Sequence, residues 1–126
     1  MPRIERTVPR PVRAPDLRRN GDHLKFIAAI GICLACGRRG PCEAAHVRKG
    51  TGGGMGLKPP DKFTLPLCAA CHHEQHQIGE AEFFGRLQID ALDAALRLWT
   101  ISGNKEAAER IIFRARQTIE LKARTL

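Results

Sequence analysis

Apolar positions change period along the chain, and the change marks where helices give way to short extended pieces. In the C-terminal third they recur every three or four residues, the spacing of helices with one buried face. Gly79 leads into Glu80-Ala81-Glu82, acids suited to a helix N-terminus, and Phe83, Phe84 and Leu87 supply the apolar face. Asp90 opens a second helix whose stripe is Leu92, Ala95, Leu96 and Trp99, ending near Gly103. Asn104 caps a third, with Ala108, Ile111, Ile112, Ala115 and Ile119 on one side and Arg110, Arg114, Arg116, Lys122 and Arg124 elsewhere. Near the other end, Asp22 reads as the N-cap of a short helix carrying Leu24, Ile27, Ala28 and Ile30 and stopped at Gly31.

Between these helical stretches the pattern is extended. A strand-like run enters Cys33, Arg38-Arg39-Gly40-Pro41 turns the chain back, and Glu43 to Arg48 reads as the returning strand of that hairpin. Thr64 to Leu67 is a second extended piece, and from His72 the pattern turns helical. The run Gly50-Thr51-Gly52-Gly53-Gly54-Met55-Gly56 lacks the G-K-[ST] ending of a phosphate-cradling loop; it reads as a mobile loop closed by Lys58-Pro59-Pro60-Asp61. Residues 1 to about 20 are dense in Arg and Pro, which forbids a helix ladder and leaves an extended basic arm. The expected organisation is α+β: an arm over 1–21, a core over 22–79, and a helical extension over 80–126 packing on that core.

Charge narrows the partner. The net charge of +8 on 126 residues favours a polyanion, nucleic acid before an anionic membrane surface. A chain this short also has little core of its own, so a metal staple makes physical sense. Five cysteines are an odd number; with four paired in motifs and Cys42 left over, a reducing compartment fits better than a disulfide framework, and a cytoplasmic location is expected. The apolar run Phe26 to Cys36 could pass for a signal or lipoprotein segment. Asp16 and Asp22 in its lead, and its shortness against a bilayer, argue for a helix end entering a metal knuckle.

The chemistry-bearing residues cluster in the middle. Cys33-Leu34-Ala35-Cys36 and Cys68-Ala69-Ala70-Cys71 are two C-x-x-C knuckles, the four soft ligands that tetrahedral structural zinc prefers. His72 and His76 follow at helical i, i+4 spacing, which puts both imidazoles on one face and within reach of a single cation. His73 points about a quarter-turn away and suits a hydrogen bond or a phosphate contact. His46, on the strand after the first knuckle, is a side chain able to act as general base on water; filling the hairpin is the alternative. Zinc knuckles by themselves scaffold without catalysing, so a non-catalytic zinc-ribbon module binding nucleic acid or a recombination partner, and a zinc-capped helical interaction domain, stay open on spacing alone.

The order C-x-x-C-G, then Ala45-His46-Val47, a Gly-rich loop, Lys58-Pro59-Pro60-Asp61 and Pro66-Leu67-Cys68-x-x-Cys71-His72-x-x-x-His76 resembles the His-Asn-His (HNH) endonucleases of ββα-metal fold with structural zinc, especially small phage and prophage members. The resemblance covers about residues 23 to 78. It implies a zinc-stapled ββα-metal core, with His46 as the histidine that deprotonates water, His72 as the helix histidine, and His76 as an additional ligand. It implies a catalytic divalent metal (Mg²⁺, Mn²⁺ or Zn²⁺) beside the structural Zn²⁺, and DNA as partner. Arg48, Lys49, Lys58 and His73 are the expected contacts to its phosphates, and no small-molecule cofactor is expected. Two positions depart from the pattern. Ala45 stands where an acid or second histidine often binds metal, so an acid restored there is expected to strengthen metal binding. Phe63 falls near the middle asparagine; Asp61 is the nearest substitute, with a metal role in view, and Glu43 a weaker one.

Overall fold

The structure, a computed structural model, describes residues 18–50 and 58–124, with side chains through residue 117. The arm up to residue 17, the loop over 51–57 and the side chains of Ile119, Lys122 and Arg124 lie outside the described residues. The elements run α1 (Gly21–Ala29), β1 (Glu43–His46), β2 (Thr64–Leu67), α2 (Ala69–Ile78), α3 (Glu80–Leu87), α4 (Ala91–Thr100) and α5 (Lys105–Arg124). The described chain is thus α+β, with five helices and one two-stranded sheet.

The strand pairing differs from the expected hairpin. β1 runs antiparallel to β2, with Glu43 opposite Leu67 and His46 opposite Thr64. The first knuckle instead closes on itself, through the Ile32–Arg39 bridge and bonds from Cys33 N to Arg38 O (3.0 Å) and Gly40 N to Gly31 O (2.9 Å). Gly40 at φ 146° and Pro41, which has no N–H to give, end that ladder. The chain is then free to pair with β2, whose four residues are all buried. β1 is also shorter than the expected Glu43–Arg48: Val47 N still reaches Phe63 O (2.8 Å), but Arg48 and Lys49 turn their N–H groups onto Glu80.

α1 begins one residue after Asn20, whose side chain accepts from His23 N at 3.0 Å. Asn20 is therefore the N-cap in place of Asp22, which sits in the first turn. The helix buries His23 and Ile27. On α4, Asp90 caps as expected, accepting from Asp93 N at 3.0 Å, but the buried face is Ala94, Ala95 and Leu98. Leu96 and Trp99 from the expected stripe are 40 % and 36 % exposed. Small residues let α4 approach its neighbours closely, and the large ones lie at the rim. α5 follows its expected pattern, with Ala108 and Ile112 fully buried, Ile111 and Ala115 partly so, and Asn104 Oδ1 accepting from Ala107 N at 3.1 Å.

α5 is also pinned to the first knuckle. Arg116 donates to Leu34 O (3.1 Å) and Ala35 O (2.8 Å). Gly37, at φ 76°, allows this: a Cβ there would stand 2.6 Å from the guanidinium.

His23 links α1 to the end of α4. It is 1 % exposed, shares a 2.7 Å hydrogen bond between Nδ1 and Ser102 Oγ, and meets Trp99 edge-on at 4.9 Å. Burial pushes its pKa down, against the pull of the Asp61 charge. The folded chain therefore binds this proton less readily than the unfolded one. Stability should rise with pH from the lowered folded value up to the ordinary value of about 6.5. Thermal melting between pH 5 and 8 checks this, and His23→Gln should flatten the slope.

Candidate metal and catalytic centre

The two knuckles meet. Cys33 and Cys36 sit on the self-closed turn before β1, Cys68 is the N-cap of α2, and Cys71 lies in its first turn. Their four sulfur atoms all lie within 4.8 Å of one another, with Cys36 and Cys68 Sγ 3.9 Å apart. Sulfurs bound tetrahedrally at 2.3 Å stand about 3.8 Å apart, so the set fits a zinc ion. Among the described residues these cysteines are the group of three or more donors that converges on one point.

Their acidities diverge. The Cys71 N–H, opposed by burial, draws Cys68 down to about 7, whereas burial pushes Cys33 and Cys71 up. Four neighbouring thiolates repel one another, and a dication removes that conflict. Cys42 lies outside the group; burial, then the other cysteines, pushes it up to about 11, and its Sγ reaches Gly40 O at 3.6 Å. Four cysteines placed together could thus hold a structural metal such as zinc.

A second set of side chains surrounds a cavity of about 560 Å³, lined by Ala44, His46, Arg48, Lys58, Pro59, His72, Gln75, His76, Gly79 and Glu80. The helix under it, α2, begins at Ala69, three residues before the expected His72. The knuckle's own turn starts it, with His72 N donating to Cys68 O at 2.9 Å. His72 and His76 still share a face, their Nε2 atoms 3.1 Å apart and ring centroids 4.7 Å apart. Glu43 Oε1, from the start of β1, meets His72 Nδ1 at 2.9 Å. A carboxylate only accepts, so Nδ1 carries the hydrogen and Nε2 keeps its lone pair toward His76. Two nitrogens on one tetrahedral ion at 2.0–2.1 Å stand about 3.3 Å apart, so this pair also fits a cation.

His46 closes β1 on the opposite wall. Its Nε2 lies 2.8 Å from Asp61 Oδ1, which also takes Arg19 Nη1 at 2.8 Å, while Asp61 Oδ2 accepts Asn20 N at 2.8 Å. Asp61 is 2 % exposed. Burial raises its pKa, but the bonds from His46 and Asn20 and the Arg19 charge outweigh this and hold the carboxyl below its ordinary value. As a pure acceptor it fixes the hydrogen on His46 Nε2 and leaves the lone pair on Nδ1. The strand register explains the placement: Thr64 stands opposite His46, and its hydroxyl donates to Asp61 O at 2.9 Å, folding the Pro60–Phe63 turn beneath the imidazole.

Several expected roles shift accordingly. Asp61 has both oxygens engaged by protein donors and does not line the cavity, which makes it a partner of His46 and not a metal ligand. Glu43 orients His72. Phe63 packs partly against the core under Lys62, 5.0 Å from the ring centre. Arg48 and Lys58 line the cavity; Lys49 lines a neighbouring one, and His73 is an exposed α2 residue outside both. Ala45 is 1 % exposed within the hydrophobic core, so an acid there would face apolar side chains and no metal. Ala45→Asp is expected to destabilise the fold by at least about 3 kcal/mol without improving cation affinity; chemical denaturation beside a Mn²⁺ titration checks both.

Residues without a sequence signal complete the frame. Arg18 and Arg19 donate to Lys58 O, and Asp61 N returns a bond to Arg18 O at 2.7 Å. The end of the supposed arm is thus a latch on the turn that holds Asp61. Glu80 accepts from Arg48 N (2.8 Å) and Lys49 N (2.9 Å), fixing the exit of β1 to the first turn of α3. Gln75, between the two histidines, is the buried residue of α2, and a single glutamine in a helix carries no sequence signal of its own. No helix among the described residues is long and apolar enough to cross a membrane.

Comparison with the curated proteins and with the solved structures gives no match. A family model described as "Protein of unknown function (DUF968)" matches residues 10–97, a span that holds both knuckles, His46 and the α2 histidines and stops short of α5. The chain belongs to the DUF968 family.

Proposed function

We propose that this protein is a metal-dependent endonuclease of the HNH type that cleaves DNA phosphodiester bonds. One observation carries the reading: a histidine oriented by a buried carboxylate and a pair of converging helix histidines line one cavity, with Arg48 and Lys58 beside them. In this mechanism His46 Nδ1 takes a proton from water as the water oxygen bonds to phosphorus. The bond from phosphorus to the 3′-oxygen breaks in line, leaving a 5′-phosphate and, after proton uptake from solvent, a 3′-hydroxyl. Arg48 and Lys58 hold backbone phosphates, which gives affinity without reading sequence. Asp61 holds the His46 ring through Nε2–H and stabilises the imidazolium that forms when Nδ1 takes the proton. What a divalent cation on His72 and His76 supplies, when bound, is stabilisation of the charge on the reacting phosphate and the departing oxygen.

The test separates cleavage from binding. Zinc-loaded protein is incubated with supercoiled plasmid and with Mg²⁺, Mn²⁺ or Zn²⁺ in turn, and DNA affinity is measured across a salt series. Metal-dependent nicking supports the nuclease reading. Salt-sensitive binding with no nicking under any metal would select the zinc-ribbon binding module instead.

A further inference from the structure

The acids at the cavity already have protein partners. Glu80, the carboxylate among its lining residues, accepts two backbone N–H groups. Glu43 holds His72, and Asp61 serves His46, Arg19 and Asn20. Among the described residues the one carboxylate lining the cavity is thus committed to backbone N–H groups, and two nitrogens alone make a poor site for a hard divalent ion.

Gln75 stands beside that gap. It lines the cavity, is 5 % exposed, and its Oε1 is buried with no hydrogen-bond partner. A buried amide oxygen left unpaired costs roughly 1–3 kcal/mol, so its retention against the cavity calls for a partner that the protein does not provide. His72, Gln75 and His76 fall at i, i+3 and i+4 of α2, one helical face. The terminal torsion of a glutamine is soft and can turn its oxygen outward at little cost.

We infer that Gln75 is the third protein ligand of the divalent cation at His72 and His76, giving a neutral His-Gln-His donor set. This rests on the reading of the histidine pair as a metal site. A neutral set leaves the cation's charge uncompensated, so the cation and an anionic phosphodiester strengthen each other's binding. A carboxylate-rich site would hold the cation tightly without substrate.

The experiment titrates Mn²⁺ into the zinc-loaded full chain, followed by electron paramagnetic resonance, with and without dimethyl phosphate as an uncleaved phosphodiester. Melting of each variant without Mn²⁺ is recorded alongside. Gln75→Met should weaken Mn²⁺ binding at least about tenfold while the melting temperature stays level or rises, because an unpaired buried amide is gone. Gln75→Glu should restore or exceed wild-type affinity and lose the enhancement by dimethyl phosphate. Unchanged Mn²⁺ affinity in Gln75→Met, with affinity lost in His72→Ala, would overturn the role of Gln75 and leave the histidine pair standing. No Mn²⁺ binding by the wild type, or binding indifferent to His72→Ala, would overturn the histidine-pair reading itself and Gln75 with it.

Discussion

Cys68→Ser, or removal of the metal by a strong chelator, is expected to unfold the domain. Structural zinc in small folds contributes on the order of 10 kcal/mol, comparable with the whole 5–15 kcal/mol that typically separates a native domain from its unfolded chain. Three observations make the dependence heavy here. Among the described residues the sheet has two strands, too few for independent stability. Leu34, inside the first knuckle, donates to Pro66 O at 2.9 Å and so carries β2. The same knuckle offers Leu34 O and Ala35 O to Arg116 and so carries α5. Loss of the ion should therefore spread from the knuckles to the sheet and to the longest helix. Elemental analysis should find one tightly held zinc per chain, and circular dichroism should show helix lost on chelation. Cys42→Ser should change neither. A metal-free chain that keeps its helix content would contradict the assignment.

His46→Ala is expected to lose most cleavage, by roughly 10²–10⁴-fold, the usual contribution of a positioned general base. DNA affinity and the structural zinc should persist, because His46 belongs to neither knuckle. His72→Ala and His76→Ala should instead weaken the cation, so that raising Mn²⁺ recovers part of their activity. His73→Ala should be mild, since its side chain is exposed outside the cavity. Cleavage under single-turnover conditions, with Mn²⁺ varied for each variant, separates the base from the ligands: only the loss at His46 should be indifferent to metal concentration.

Much of this arrangement could be read before any coordinates. The knuckles were legible because a metal needs paired thiols on tight turns, and the i, i+4 histidines because a helix dictates which positions share a face. Strand pairing was not. Glu43–His46 has two extended neighbours, and sequence alone did not reveal that the knuckle would satisfy its own hydrogen bonds and leave Thr64–Leu67 as partner. That one pairing decides the site, because it puts Thr64 opposite His46 and brings Asp61 beneath the imidazole. The same step placed Ala45 in the core, where an aligned motif suggests a metal ligand. The Arg19 and Asn20 latch had no signal at all, since an arm rich in Arg and Pro gives no hint of where its last residues dock. On α4 the expected stripe held at Ala95 but not at Leu96 and Trp99, because the buried face turns toward Ala94 and Leu98, and Ala94 is valued for closeness of packing and not for hydrophobicity.

The most direct measurement of the central claim is single-turnover nicking of supercoiled plasmid by wild type and His46→Ala, matched for zinc content and DNA occupancy, in saturating Mn²⁺. Metal-dependent nicking by the wild type, reduced at least about 100-fold in the variant, is the expected result. Equal nicking by the two proteins would contradict the role given to His46.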